Sequence, residues 1–268
     1  MFANARMYSI NAATAAAWRT ILQWVVDRAG VECQVIDYPP PLPISELWSR
    51  PDMGCAFMCG YPLALSSPRP VLLAAPVPAL QRCGGKPLYW TDIVVRADSP
   101  IRDITGTFGH RFAFTAEDSQ SGWQAPRTLL APFAKERGGS LFAALVGPLS
   151  TPRRVAEAVI AGDADAGPLD SYAHALFRAT EPDLAARLRV IASTPPTAIP
   201  ALVAAPSIVP ADAVRLTETL LAVHDSAWLA PARATLLLER FARVRPEGYE
   251  ALLIEAERTD ALGYPRIV

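Results

Sequence analysis

Two serines and a glycine lie close together at the start of a predicted helix. The run DSQSGWQAPR (118–127) follows a predicted strand over 111–115. Ser119 and Ser121 supply hydroxyl groups beside the first backbone N–H groups of the helix, which have no partner within the helix. Gly122 lets a ligand approach the backbone closely. These residues predict a site for a phosphate, phosphonate, sulfonate or carboxylate, although Ser is also an ordinary helix cap.

A carboxylate follows a later predicted strand. The segment 151–171 predicts a helix that ends at Gly162, a strand over 166–169, and Asp170 at the end of that strand. This position directs the carboxylate of Asp170 to the edge of a sheet, where it can bind a ligand ammonium or hydroxyl group. The alternative, which the pattern supports equally, is that Asp170 caps the helix that begins at Ser171.

Five aromatic side chains lie where predicted strands meet loops. They are Tyr8, Tyr61, Tyr89, Trp90 and Trp123. Aromatic walls around a few polar groups line many small-molecule sites, so these residues are candidates for a ligand lining. For any single one of them, ordinary core packing is the more common role.

Motifs for several other chemistries do not occur. The sequence has no G-x-S-x-G elbow, no G-x-G-x-x-G and no G-x-x-x-x-G-K-[ST]. Its three histidines lie in unrelated contexts, and no four soft ligands converge at zinc-site spacing. General acid or base chemistry has only Asp118, Asp170 and Cys59 as candidates, none with an evident partner. We expect no metal and no cofactor.

Composition indicates a folded chain without a nucleic-acid partner. Hydrophobic residues make up 51% of the 268 positions, and 25 basic residues balance 26 acidic ones without a basic stripe. The N-terminus lacks the features of a signal peptide, and no apolar run reaches 18 residues. We therefore expect a cytoplasmic chain, or a mature or mis-started form of an exported one. Buried free thiols are favoured for Cys33, Cys55, Cys59 and Cys83; a Cys33–Cys83 or Cys55–Cys59 bridge is the alternative after export.

Strands and helices alternate along the chain, which favours an α/β fold with a parallel or mixed sheet. The predicted strands are 4–10, 31–35, 53–58, 71–75, 88–96, 111–115, 141–146, 166–169, 188–192 and 201–205. The main predicted helices are 11–29, 122–137, 151–161, 171–179, 211–226, 230–243 and 247–257. Breaks near Arg96 and Pro200 predict two hinge crossings between one lobe of residues 1–94 plus 203–268 and an inserted lobe of residues 95–202. A ligand cleft between the lobes is expected at the carboxyl ends of the strands.

Five phrases of the sequence resemble one family along nearly the whole chain. They are FMCGYP, YWTDIVVRADS, EDSQSGW, AVIAGDADAGPLD and TPPTAIPALVAAP. The phrases are similar to the phosphate, phosphite and phosphonate substrate-binding proteins of ABC importers. That resemblance implies the type II periplasmic-binding, transferrin-like fold and a periplasmic location.

The resemblance also implies roles for particular residues. In the family, a turn of the S-[TS]-S-G type binds the phosphonate oxyanion, which assigns that role to Ser119, Gln120, Ser121 and Gly122. The later acidic position, which holds a ligand amine in some members, corresponds to Asp170. Aromatic lining corresponds to Tyr61 and Tyr89. Where members often carry Ser-His before the preceding helix, this chain has Ser150 and Thr151.

Two functions from different classes follow. The first is a solute-binding protein that captures a small anionic or zwitterionic ligand between two lobes for an ABC importer, as a monomer or weak dimer, with a permease as partner. The second is a cytoplasmic enzyme on the same fold, such as a chorismate-dehydratase-like lyase. Fold alone does not decide between them, and the lack of an evident acid–base pair favours binding.

Overall fold

The computed structural model describes every residue from Met1 to Val268. The strands are β1 (Phe2–Asn4), β2 (Gln34–Val35), β3 (Met53–Met58), β4 (Val71–Pro78), β5 (Leu88–Tyr89), β6 (Thr91–Arg96), β7 (Arg111–Ala113), β8 (Ala144–Val146), β9 (Ala166–Asp170), β10 (Leu188–Ser193), β11 (Thr197–Ala198), β12 (Ala201–Ala204) and β13 (Leu238–Ala242). The helices are α1 (Ala12–Ala29), α2 (Ile44–Trp48), α3 (Gly60–Leu65), α4 (Ala125–Arg137), α5 (Pro152–Ala161), α6 (Ser171–Thr180), α7 (Pro182–Ala185), α8 (Pro210–Leu221), α9 (Ala230–Thr235) and α10 (Glu247–Ala261).

Local sequence signals account for the ends of several elements. The side chain of Asn11 accepts the N–H of Thr14 at 2.9 Å, and the Thr14 hydroxyl accepts the N–H of Asn11 at 3.1 Å, which closes a capping box at the start of α1. Gly30 ends the helix at a φ of +60°, a conformation that favours glycine. The predicted caps of α1, Asn11 and Gly30, and the predicted bounds of β3 are confirmed.

The chain folds into two compact units. The first comprises Met1–Leu88 and Ala198–Tyr249, and the second comprises Tyr89–Thr197 and Glu250–Val268. The first unit contains a six-stranded sheet in the order β13-β4-β12-β3-β1-β2, in which β1 runs parallel to β2 and β3. Its core includes Trp18, which packs edge-to-face on Phe57 with ring centroids 5.0 Å apart.

The second unit is built on a five-stranded sheet in the order β10-β6-β9-β7-β8. Strand β7 runs parallel to β8 and β9, and β6 runs antiparallel to β9. The carboxyl ends of β7, β8 and β9 therefore meet at the same edge of the sheet as the amino end of β6. Ligands of open α/β sheets bind outside the carboxyl ends of strands, so this edge is where a site is expected.

The C-terminal segment differs from its predicted assignment. The sequence placed residues 203–268 in the first lobe and two crossings between lobes, whereas residues 250–268 belong to the second unit and the chain passes between units three times. The segment is bonded to the second unit by the buried Arg127 guanidinium, which donates to the carbonyls of Ala256 (3.2 Å) and Tyr264 (3.1 Å) and pairs with Asp260, and Tyr264 and Ile267 pack in the core of that unit. A buried cation requires such partners, and residues far along the chain supply them.

Two other predicted elements are wrong. The predicted strand over 4–10 ends at Asn4, because the side-chain oxygen of Asn4 accepts the N–H of Arg6 at 2.9 Å and turns the chain. The predicted helix over 230–243 stops at Thr235, and the following residues form β13, which pairs antiparallel with β4. Pairing with a distant strand outweighs the local helical pattern there.

All four cysteines are free thiols. Cys55, Cys59 and Cys83 are buried, and burial raises the pKa of Cys83 to about 11. The favoured interpretation, a buried free thiol at each position, agrees with the structure for these three residues, whereas Cys33 is half-buried. None of the helices combines the length and the apolar character needed to span a membrane.

Candidate oxyanion-binding site

The serine turn, residues 119–122, lies between β7 and α4. The Ser119 hydroxyl accepts the N–H of Gly122 at 3.0 Å, and the Ser119 carbonyl accepts the N–H groups of Trp123 (3.1 Å) and Gln124 (3.0 Å). The bond to Gln124 spans five residues, so the helix begins with one wide π-type turn before α4 continues it. Ser119 is therefore the cap of this helix, which is the alternative that the sequence left open.

Ser121 has a different role from Ser119. Neither its hydroxyl nor its N–H is bonded within the protein, and the residue is half-buried. Its carbonyl accepts a hydrogen bond from the hydroxyl of Thr91 at 3.1 Å. The carbonyl of Ser121 is thus fixed by Thr91, while the N–H and the hydroxyl of Ser121 stay available as donors. Both lie at the positive end of a helix dipole, where an anion is stabilised.

Gly122 is required by packing. A Cβ atom at this position would lie 1.8 Å from Oγ1 of Thr115, so no other residue fits without movement. Oγ1 of Thr115 is itself buried and has no hydrogen-bond partner. The sequence pattern indicated ligand approach as the role of Gly122. It gave no signal for Thr115, which lies two residues beyond the end of β7 and carries no motif of its own.

The loop before α5, which carries Ser150 and Thr151, is bonded to Thr115. The N–H of Ser150 donates to the carbonyl of Thr115 at 2.8 Å, and Ser150 adopts a left-handed backbone with a φ of +65°. Such a conformation is uncommon for serine and concentrates at functional positions. The hydroxyl of Thr151 caps α5 by accepting the N–H of Arg154 at 3.2 Å. Ser150, rather than Thr151, is the hydroxyl residue of this loop that is not used as a helix cap.

Asp170 ends β9 as predicted and caps α6. Its Oδ1 accepts the N–H groups of Tyr172 (2.8 Å) and Ala173 (3.0 Å), and the residue is 4% exposed. It lies opposite Thr91 in the register of β6 and β9. The structure thus gives Asp170 the capping role that the sequence ranked equal to ligand binding. A contact with a ligand amine stays a prediction.

A buried network of polar side chains, for which the sequence carries no motif, lies beside this edge. Asp92 on β6 accepts hydrogen bonds from Trp90 Nε1 (2.8 Å) and Ser193 Oγ (2.6 Å), and its Oδ2 lies 2.8 Å from Nδ1 of His174. Burial alone would raise the pKa of Asp92. The hydrogen bonds from His174, Ser193 and Trp90 and the attraction of the His174 ring outweigh burial, and they hold the pKa of Asp92 below its usual value.

Two of the five aromatic candidates for a ligand lining are buried side chains that pack on other aromatic rings. Tyr8 packs edge-to-face on Phe57 at 5.1 Å, and Trp123 packs on Phe114 at 4.9 Å; both are at most 2% exposed. Both side chains pack in the core, and a ligand-lining role for them stays a prediction.

The other three aromatic candidates differ in exposure. Tyr89 is buried, while Tyr61 on α3 and Trp90 before β6 are half-buried. Of these, Trp90 is tied directly to the site edge, because its N–H donates to the Ser171 hydroxyl and its carbonyl accepts the Ser171 N–H, each at 2.9 Å.

Comparison with known proteins identifies relatives of this arrangement. A family model described as "ABC transporter, phosphonate, periplasmic substrate-binding protein" matches residues 59–249. No curated protein matches the sequence.

Solved structures are similar over nearly the full length. A binding protein component of an ABC phosphonate transporter from Pseudomonas aeruginosa has a TM-score of 0.74 at 17% identity, covering 98% of this chain and 96% of that one. PhnD1 from Prochlorococcus marinus, in complex with methylphosphonate, has a TM-score of 0.76 at 16% identity, covering 97% and 98%. A Xanthomonas citri protein bound to chloride ion has a TM-score of 0.68 at 18% identity, covering 97% and 98%. At these identities the structures establish a shared fold.

Proposed function

This chain belongs to the family of periplasmic substrate-binding proteins of phosphonate ABC transporters, and from that premise we propose that its serine turn binds the oxyanion of a small phosphonate-like solute. The resemblance identified in the sequence is confirmed. The family consists of substrate-binding proteins and not of enzymes, so solute binding is supported over the lyase alternative.

The observation that carries the proposal is the pair of unbonded donors on Ser121. Its N–H and hydroxyl stand at the beginning of a helix, while the Ser119 hydroxyl already caps that helix. An oxyanion placed there accepts charge-assisted hydrogen bonds and interacts favourably with the helix dipole. Ser119, Gln120 and Gly122 shape the turn that presents these donors.

The ligand that we propose to test first has no amine. The Oδ1 atom of Asp170 accepts hydrogen bonds from two backbone N–H groups. The carboxylate of Asp92 is hydrogen-bonded to His174, Trp90 and Ser193. The donors of the serine turn therefore favour the anionic end of a ligand. The similar fold solved with methylphosphonate makes that compound a suitable first probe.

Transport supplies the biological setting. Members of the family are periplasmic components of ABC importers. We propose that this chain captures its ligand in the periplasm and delivers it to a permease, and that it does so as a monomer or weak dimer. Separation of periplasmic from cytoplasmic extracts of cells that produce the protein natively tests the location.

Titration calorimetry tests the proposed function directly. Methylphosphonate, phosphite, phosphate, sulfate and 2-aminoethylphosphonate are titrated separately into the purified protein. We expect at least one oxyanion to bind, and Ser121→Ala to weaken that binding roughly ten- to a hundred-fold, since a hydrogen bond to a charged group is lost. Ser207→Ala, at an exposed serine of the first unit, is the matched control. No binding by any oxyanion, or an unchanged affinity in Ser121→Ala, would overturn the assignment.

A further inference from the structure

A half-buried arginine follows the first strand of the first unit. Strands β1, β2 and β3 run parallel, so their carboxyl ends meet at one edge of the six-stranded sheet. Arg6 lies two residues beyond the end of β1, and Tyr38 lies three residues beyond the end of β2. Ligands of open α/β sheets bind outside the carboxyl ends of the strands. Arg6 is therefore a charged residue at the edge of the first unit where a ligand is expected.

Three contacts hold Arg6 in place. Its backbone N–H donates to the side-chain oxygen of Asn4 at 2.9 Å, and its Nη1 donates to the carbonyl of Leu42. Its guanidinium lies over the ring of Tyr38, 5.6 Å from the ring centroid. The Tyr38 hydroxyl in turn donates to the carbonyl of Pro43 at 3.2 Å. A hydrogen bond and a cation–π contact restrict a flexible side chain, so less conformational entropy is lost when that side chain binds a ligand.

The positive charge of Arg6 has no acidic partner within the protein. Burial lowers the pKa of Arg6, and only Tyr38 acts in the opposite direction, so no carboxylate contributes. Glu46 lies near, but its Oε2 accepts from the Tyr38 hydroxyl at 3.5 Å and forms no ion pair with Arg6. Arg19 on α1, by contrast, is paired with Asp37. Partial burial of a cation without a counter-charge is unfavourable, and an anionic ligand would supply that counter-charge.

Two donors of the Arg6 guanidinium are not used by the protein. Nη1 is bonded to Leu42, whereas Nε and Nη2 have no hydrogen-bond partner within the chain. Nε and Nη2 form the edge of a guanidinium on which two N–H groups point in parallel. This planar pair matches the two coplanar oxygens of a carboxylate and allows a bidentate ion pair. A spherical chloride ion offers no pair of oxygens to match it.

We propose that Arg6 is an anion-binding residue of the first unit, which binds the carboxylate of a small organic acid through Nε and Nη2. This site goes beyond the proposed function, because it uses no residue of the serine turn. The alternative is that Arg6 only ties residues 39–43 to the end of β1 through the Leu42 carbonyl. In that case replacement of Arg6 lowers stability, and no carboxylate responds to Arg6.

An NMR titration of the full-length protein with sodium acetate tests the proposal. The Nε–H resonance of Arg6 should move to a limiting position as acetate is added. Arg102, an exposed arginine of the second unit, is the internal control. Half-saturation at Arg6 should need at least roughly tenfold less acetate than at Arg102, because two charge-assisted hydrogen bonds form at a side chain already held in place. Sodium chloride at the same ionic strength should not produce a saturating shift.

Variants separate charge from geometry. The backbone N–H resonances of residues 6 and 38 follow acetate binding in each variant. Arg6→Lys keeps the charge but loses the planar pair of donors, and it should weaken acetate binding roughly tenfold. Arg6→Gln should abolish the saturable response, while Arg102→Gln, the matched control, should leave it unchanged. Thermal unfolding of each variant measures the contribution of the Leu42 contact to stability. The wild-type titration stands even where a variant does not fold.

Two results would overturn the proposal. One is an Arg6 response to acetate that does not saturate or that chloride reproduces. The other is acetate binding in Arg6→Gln within about twofold of wild type. Ser121→Ala should leave the acetate response at residue 6 within about twofold of wild type, since the serine turn takes no part in it. Failure of oxyanion binding at the serine turn would thus overturn the proposed function alone, and failure of the Arg6 response would overturn this inference alone.

Discussion

The hydroxyl of Thr91 donates a hydrogen bond to the backbone carbonyl of Ser121 at 3.1 Å. Thr91 begins β6 and is 1% exposed, so this bond joins the sheet to the turn that carries the unbonded donors of Ser121. The N–H of Thr91 in turn donates a hydrogen bond to the Thr194 hydroxyl at 2.9 Å. The serine turn is therefore supported by a buried side chain 30 residues earlier in the sequence.

Removal of that support should weaken ligand binding without unfolding the protein. Thr91→Val keeps the shape of the side chain and deletes its hydroxyl, which leaves the Ser121 carbonyl without its partner. We expect a loss of stability of about 1 kcal/mol and a several-fold loss of oxyanion affinity. Denaturant unfolding and calorimetry measure the two effects, with Thr235→Val on α9 as control. Unchanged affinity would show that the turn holds its shape alone.

The two serines of the turn should separate stability from binding. Ser119→Ala removes a helix cap and should lower the free energy of unfolding by about 1 kcal/mol. Ser121→Ala removes an unbonded hydroxyl and should leave stability within about 0.5 kcal/mol of wild type while affinity falls. Both variants are compared by denaturant unfolding. A larger stability loss in Ser121→Ala than in Ser119→Ala would contradict the assignment of the two roles.

Asp170 offers a test of whether the ligand carries an amine. Asn caps helices about as well as Asp, so Asp170→Asn should preserve α6 while removing the negative charge. From the capping geometry we expect affinity for methylphosphonate to change by less than about twofold. Calorimetry with 2-aminoethylphosphonate measures the affinity of the same variant for a ligand that carries an amine. A selective loss of the amine-bearing compound would support the ligand-amine role that the sequence resemblance implies.

The Asp92 network should make stability depend on acid pH. Because the pKa of Asp92 in the folded protein lies below its ordinary value, its contribution to stability is complete above the unfolded pKa of about 3.9 and is lost as pH falls through the folded pKa. We therefore expect Asp92→Asn to be less stable than wild type near neutral pH, and the difference in the free energy of unfolding to shrink as the pH falls. Denaturant unfolding of both proteins between about pH 3 and pH 7 gives this difference. A deficit that stays constant down to pH 3 would contradict a depressed pKa.

Ligand-driven closure of two lobes stays a prediction from the sequence. A ligand shifts a conformational equilibrium only if it binds one state more tightly, which contact from both lobes would provide. Small-angle scattering with saturating ligand should then show a smaller radius of gyration than without it. The Ser121→Ala protein at the same ligand concentration is the control. Equal radii in wild type at saturation would count against closure.

The parts of the structure that sequence predicted are those with local signals. Asn11, Thr14 and Gly30 mark the two ends of α1 by capping chemistry that acts over three residues. Thr151 marks the start of α5 in the same way. The site edge was partly predictable for a similar reason, because Ser119 and Asp170 follow predicted strands.

The parts that sequence missed depend on contacts between distant residues. His174 lies 82 residues from Asp92, and nothing near either residue indicates that they meet. Thr115 has no motif, and its importance follows only from its contact with Gly122. Trp123 follows the serines in sequence, yet the wide first turn of the helix directs it into the core against Phe114.

The assignment of residues 250–268 to the second unit has a consequence for how the protein is made. When residue 197 has just been added to the nascent chain, every strand of the five-stranded sheet has been synthesised, but Asp260 and Tyr264, two of the partners of the buried Arg127, have not. Until those residues emerge, the Arg127 guanidinium has the side-chain oxygen of Gln124 as an acceptor but lacks its carboxylate partner and the carbonyls of Ala256 and Tyr264. We therefore expect the second unit to complete its folding only after residues 256–264 have been synthesised. For the same reason, a fragment of residues 89–197 should be a poor candidate for expression on its own.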